Sequence, residues 1–225
     1  MKQAQDRVKK IAGLSDDYEV LFLQGGASLQ FIMAPMNLAK YGEKTAYVDS
    51  GAWSKKAIAE GSKLTEAEVV ASSKDANYNY IPKGYTVPND AAYLHITTNN
   101  TIFGTQFHEI PEVNIPLVAD MSSDIFSRPM DFNKFDLIYA GAQKNLGPAG
   151  TTLVIVKKSL LGKSGRDIPS YLDYEKHANA DSVAKDEDRS LMNVTFVLAD
   201  ESKKEAFDAL AKSHNLSGIN GHRSV

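Results

Sequence analysis

Apolar runs alternate with turn residues along the whole of this chain. Val8, Ile11, Ala12 and Leu14 recur at roughly helical spacing among charged residues until Ser15-Asp16-Asp17 interrupts them, which predicts a surface helix. Tyr18 to Leu23 is almost continuously apolar or aromatic, too short for a typical helix and closed by Gly25-Gly26, the pattern of a strand buried on both faces. A helix is predicted from near Ser28 through Leu29, Phe31, Ile32, Met36 and Leu38, ending by Gly42, with Pro35 a kink or early-turn residue. Thr45 to Val48, Glu68 to Ala71 and Tyr93 to Thr97 read as strands, and Ser54 to Gly61 as a helix. Ile115 to Ala119, Leu137 to Ala140 and Thr151 to Val156 are three further strand candidates. Short strands separated by helices favour parallel βαβ units, so the fold class is α/β, a mixed or mostly parallel sheet covered by helices.

Two stretches depart from that rhythm. Asn77 to Asp90 combines Tyr78, Tyr80 and Tyr85 with Pro82, Gly84 and Pro88, and reads as an irregular surface excursion. Asp173 to Ser190 is dense in charge and poor in large apolar residues, a length of structureless chain that is uncommon inside a domain. Beyond it, Met192 to Leu198 reads as a strand, and Phe207, Leu210 and Ala211 mark a short amphipathic helix, together a small second lobe.

Composition narrows the function classes. The 225 residues suffice for one large domain or a domain and part of another. With 25 Lys and Arg against 28 Asp and Glu, a net charge of −3, a nucleic-acid partner is not expected. No apolar run approaches the roughly 20 residues of a membrane span. The absence of cysteine excludes a disulfide framework, a thiolate metal site and a cysteine nucleophile, and no metal site is expected. Met1 is followed by Lys-Gln-Ala-Gln-Asp rather than an apolar signal core, which reads as cytoplasmic.

Asp120 and Lys144 stand just beyond the ends of two predicted strands, where open α/β sheets bind ligands, and the stretch between them is long enough for a crossover connection. An Asp beside a Lys near a glycine-rich loop suits pyridoxal phosphate, the amine forming a Schiff base while the carboxylate holds the pyridinium nitrogen protonated. The competing reading is a solvated lysine and a helix-capping aspartate. Gly25-Gly26-Ala27-Ser28 offers backbone N–H groups at a helix start to a phosphate, or is a tight turn; it lacks the dinucleotide and nucleotide-triphosphate motifs. Trp53, the single tryptophan, is placed to stack on a flat ring or to pack in the core. Thr101 is a hydroxyl donor or a turn residue, and Gly221-His222-Arg223 is an anion clamp or a mobile tail.

Four strings in order, FLQGGASLQF, ADMSSDIFSRP, IYAGAQKNLGPAGTTLVIV and GHRSV, resemble the phosphoserine aminotransferase family of fold-type I, class V pyridoxal-phosphate enzymes. The similarity covers nearly the whole chain, and GAQKN in its glycine-proline setting is its most specific part. The resemblance implies that Lys144 forms the Schiff base and shuttles the proton, and that Asp120 pairs with the pyridinium nitrogen. It further implies that Trp53 stacks on the ring, Thr101 binds its 3-oxygen, and Ala27, Ser28 and Gln143 hold its phosphate. His222 and Arg223 match a pair that recognises the substrate phosphate. The implied reaction is a ping-pong transamination from L-glutamate to 3-phosphohydroxypyruvate, giving O-phosphoserine in serine synthesis, with a second role in pyridoxine synthesis in some bacteria, carried out by a homodimer.

The same resemblance implies a longer polypeptide. An arginine for the substrate carboxylate is expected before Met1, an Asn-Thr pair reaching the partner's cofactor phosphate near Ser182-Val183, and another substrate-binding arginine after Val225. The domains are expected to be a large cofactor-binding domain over 1–172, an irregular charged segment with missing residues over 173–190, and part of a small C-terminal α/β lobe over 191–225. Another class V transamination, or a non-catalytic fragment, is the alternative; a cysteine desulfurase is excluded because that reaction requires a thiolate.

Overall fold

A computed structural model describes residues 1–179, together with positions 205 and 209, both helical. In chain order the elements are α1 (Lys2–Ala12), β1 (Tyr18–Leu23), α2 (Gly26–Leu38), β2 (Lys44–Asp49), α3 (Ala52–Gly61), β3 (Glu66–Ser72), β4 (Leu94–Thr97), β5 (Asn99–Asn100), β6 (Thr105–Gln106), β7 (Leu117–Asp120), β8 (Leu137–Gly141), β9 (Thr152–Lys157) and α4 (Tyr174–Ala178). A seven-stranded sheet has the order β1-β9-β8-β7-β4-β2-β3. From β8 to β3 neighbouring strands are parallel, whereas β9 is antiparallel to both β8 and β1. Two reversals leave β1 pointing the same way as the parallel strands, so every strand except β9 ends at one edge of the sheet. β5 and β6 form a separate two-stranded hairpin. This is the fold-type I arrangement, a mostly parallel sheet with flanking helices.

The side-chain period of two divides the apolar strands between two cores. Val48, Ile96, Ala119, Ile138 and Ile155 face one side, with Phe132, Phe135 and the α1 residues Val8 and Ala12. Tyr47, Val118, Leu137, Tyr139 and Val154 face the other, under Phe31, Met33 and Ala34 of α2 and Ala57 of α3. Burial on both faces is why β7, β8 and β9 read as continuous apolar runs rather than alternating ones.

One expectation is met at an unexpected place and two are corrected. β1 buries residues on both faces as expected, Tyr18 and Val20 on one and Leu21 on the other, although it lies at the sheet edge, where Glu19, Phe22 and Leu23 are half-buried. The α1 and α4 helices pack beside it, and a short apolar run does not distinguish a covered edge from the interior. The second helix starts at Gly26, two residues before Ser28, and ends at Leu38, before Gly42 as expected. Gly25, at φ 88°, turns the chain into it, and Pro35 sits in its last turns, where its carbonyl still accepts from the Ala39 N–H at 3.2 Å. The charged run after Asp173 opens as α4, because Tyr174 is only 1% exposed and its hydroxyl donates to Gln30 Oε1 at 2.6 Å. The strand expected over 192–198, the helix near Phe207, the segment around Ser182-Val183, and His222 and Arg223 lie outside the described residues. Among the described residues, no helix is long and apolar enough to cross a membrane.

Candidate active site

The shared edge gathers polar groups because each strand delivers its last residue there. Register pairs Thr97 with Asp120 and Asp120 with Tyr139, aligning the ends of β4, β7 and β8. Gly141 closes β8 and leads into Ala142, Gln143 and Lys144; Leu23 closes β1 and leads through Gly25 into α2.

Asp120 is 5% exposed, and burial pushes its carboxyl above the ordinary range; hydrogen bonds from Ser122 and the charge of Lys144 act the other way. Its Oδ1 accepts from the Ser122 N–H at 3.0 Å and from the Ser122 hydroxyl at 2.6 Å. Its Oδ2 accepts no hydrogen bond from any described residue. One oxygen of this buried residue therefore has no donor among the described residues.

Lys144, Thr101 and Trp53 come together from three separate segments. Lys144 is exposed, its Nζ donates to Thr101 Oγ1 at 3.0 Å and lies 5.3 Å from the centre of the Trp53 ring. Thr101 occupies the turn of the β5–β6 hairpin. Trp53 lies in the first turn of α3, with Lys56 Nζ 4.4 Å from the ring centre, and its own buried Nε1 has no partner among the described residues. Gly51 lets α3 start against that hairpin: a Cβ there would lie 2.6 Å from Asn100 Oδ1. Gly25 and Gly26, at φ 88° and 66°, start α2 without a side-chain cap, so its positive end presents Ala27 and Ser28 to solvent or to an anion. Gln143 folds back over Gly141, where an added Cβ would meet its Oε1 at 2.7 Å. No hydrogen bond among the described residues joins Ala27, Ser28 or Gln143 to the Lys144 group.

Sequence reasoning missed two polar partners of Asp120. The Thr98 N–H donates to the Asp120 carbonyl at 3.0 Å and its hydroxyl to Asp124 Oδ1 at 2.6 Å, contacts between distant segments that no local pattern announces. Ser122 was legible in principle, since a hydroxyl two residues after an aspartate favours a local turn. Deeper in the sheet, His95 is held neutral by burial, its pKa lowered to about 3, and its Nε2 pairs with the Tyr139 hydroxyl at 2.7 Å.

An open carboxylate oxygen, an amine beside a hydroxyl, an indole with a free N–H and an uncapped helix start fit a flat cationic ring that carries an aldehyde and a phosphate. The family profile of the class-V aminotransferases matches residues 1–170, and this is the class of pyridoxal-phosphate enzyme that the fold and the site define. The chain is 49% identical to phosphoserine aminotransferase of Flavobacterium johnsoniae, covering 100% of this chain and 78% of the relative. That match spans 278 residues against 225 here, so the relative carries internal sequence with no counterpart in this chain. Among solved structures, a phosphoserine aminotransferase studied for radiation damage of its Schiff base is 41% identical with a TM-score of 0.76, over 100% of this chain and 78% of that one. The pyridoxal-phosphate-bound phosphoserine aminotransferase of Trichomonas vaginalis is 35% identical with a TM-score of 0.72, over 78% and 53%. The chain belongs to the phosphoserine aminotransferase family, whose cofactor is pyridoxal phosphate.

Proposed function

We propose that the protein transfers the amino group of L-glutamate to 3-phosphohydroxypyruvate, yielding O-phospho-L-serine for serine biosynthesis, with a further role in pyridoxine biosynthesis. The observation that carries this reading is the buried Asp120 with one oxygen open, on the strand beside the one that leads to Lys144. Bound pyridoxal phosphate supplies an aldehyde that takes up an amino group and a ring that accepts the electron pair left when Cα loses its proton.

The residues of the chain supply the rest. The Lys144 amine holds the aldehyde carbon between turnovers and moves the proton at Cα, while Thr101, already its hydrogen-bond partner, donates to the ring's 3-oxygen. Asp120 accepts from the ring N–H through Oδ2 and keeps that nitrogen protonated, an ion pair strengthened by burial. Trp53 stacks on the ring, and Ala27, Ser28 and Gln143 hold its phosphate. His222 and Arg223 bind the substrate phosphate, a function that suits a bidentate guanidinium. Residues 1–172 form the cofactor domain and 191–225 part of the small lobe; the active form is a cytoplasmic homodimer with isologous contacts and neither nucleic-acid nor membrane partners.

The test is the visible spectrum of the purified protein supplied with pyridoxal phosphate. A yellow band bleached by glutamate, restored by 3-phosphohydroxypyruvate and absent from Lys144→Ala is expected. Restoration by glyoxylate but not by 3-phosphohydroxypyruvate would reassign the substrate within the class, and no band at all would mean that this polypeptide is not a working transaminase.

A further inference from the structure

We propose that Ser122 is a positioning residue: its hydroxyl fixes the Asp120 carboxylate so that Oδ2 is presented to the ring nitrogen, and ties that carboxylate to the strand that leads to Lys144. The inference rests on the functional reading above and concerns a residue to which that reading gives no part.

The hydrogen-bond directions leave little choice. The Gly141 N–H can only donate, and it reaches Ser122 Oγ at 3.1 Å, occupying a lone pair. The single hydroxyl proton of Ser122 then points to the acceptor 2.6 Å away, Asp120 Oδ1. Together with the Ser122 N–H at 3.0 Å, this places two donors on Oδ1 and leaves Oδ2 with none among the described residues. Both ends of the turn are pinned: the Thr98 N–H reaches the Asp120 carbonyl at 3.0 Å, and the Met121 N–H reaches the Tyr139 carbonyl at 2.9 Å. The carboxylate is consequently fixed in rotation as well as in position.

Ser122 is 7% exposed, so water does not readily take over for a lost hydroxyl. One substitution there removes two contacts, the donor to Asp120 and the acceptor for Gly141. Gly141 is the last residue of β8, and Lys144 follows within the same loop. The hydroxyl thus holds the acid on β7 in register with the amine beyond β8, the alignment that proton transfer at Cα requires.

A cofactor analogue separates positioning from mere structural support. Dissociation constants are measured for wild type, Ser122→Ala and Ser122→Thr with pyridoxal phosphate and with its 1-deaza analogue, in which C–H replaces the ring nitrogen. For Ser122→Ala the expected result is about 10- to 100-fold weaker binding of pyridoxal phosphate, the scale of a lost charge-assisted hydrogen bond, with less than about a twofold change for the deaza analogue. Ser122→Thr, which keeps the hydroxyl, should restore most of the affinity. Equal weakening of both ligands, or unchanged affinity for pyridoxal phosphate, would overturn the proposal. Should the alanine variant not fold, Ser122→Cys carries the same comparison with a weak donor of similar size. A wild-type protein that binds neither ligand would overturn the functional reading itself, a result distinct from a failed Ser122 comparison.

Discussion

Two aspartates end parallel strands at the same sheet edge and differ in what stands beside them. Asp49, at the end of β2, is 8% exposed, and its donors Ser72 at 2.9 Å and Tyr78 at 3.2 Å both reach Oδ2, while the Ser54 hydroxyl, 3.4 Å from Oδ1, gives its proton to the nearer Gly51 carbonyl at 2.8 Å. Asp120, at the end of β7, is 5% exposed and has both its donors on one oxygen. Asp124, close by and equally buried, is saturated by Thr98 at 2.6 Å and Gln106 at 3.1 Å. Burial alone distinguishes none of the three. Asp124 has a donor on each oxygen, whereas Asp49 and Asp120 each have their close donors on one; what sets Asp120 apart is the charge of Lys144 acting on it.

The largest expected effect lies on the amine that accompanies the open carboxylate. Lys144→Arg keeps the positive charge but cannot form the Schiff base, so turnover should fall by ~1,000-fold or more in steady-state assays with glutamate and 3-phosphohydroxypyruvate. Asp120→Ala should lose about 100- to 1,000-fold in kcat, because the ring nitrogen is no longer held protonated; near-wild-type turnover there would refute its role. Asp49→Ala should do the reverse, leaving kcat per folded molecule within about twofold while lowering unfolding free energy by ~2 kcal/mol in urea titrations, since Ser72 and Tyr78 lose a common acceptor.

A pH experiment on the cofactor-free protein sharpens the same contrast. Burial raises the Asp120 carboxyl above its ordinary 3.8, so the folded state binds that proton more tightly than the unfolded state. Its contribution to stability is therefore fully present below the ordinary value and is lost as pH rises through the raised one. Asp120→Asn removes the charge, so the cofactor-free variant should melt above cofactor-free wild type at neutral pH, with the gap closing on acidification. The smallest effect is expected away from the edge: Tyr174→Phe, which deletes the bond to Gln30, should lower stability by about 1 kcal/mol with kcat unchanged.

The sheet was legible because its strands are short, apolar and regularly punctuated: β2, β4, β7, β8 and β9 appear within a few residues of their expected bounds. Edge and centre were not legible for β1, whose apolar run is matched by helices covering an edge. The two-residue strands of the β5–β6 hairpin are too brief for any period to register. Tyr174 was lost in a charged run, because one buried aromatic can anchor a segment that its neighbours make look solvated. Asp120 and Lys144 were singled out by their places at strand ends, Trp53 and Thr101 by residue type and position, and the family resemblance gave all four their proposed roles. The Lys144–Thr101 bond, the open oxygen of Asp120 and the Ser122 bridge depend on register between distant strands, which no local spacing encodes.

The central claim is that Asp120 accepts a hydrogen bond from a protonated ring nitrogen. It is tested most directly by the 15N NMR shift of pyridoxal phosphate labelled at that nitrogen and bound to the wild-type protein and to Asp120→Asn. A pyridinium shift in wild type that moves to the neutral pyridine range in the variant is the predicted result. A neutral pyridine shift already present in wild type would contradict the account.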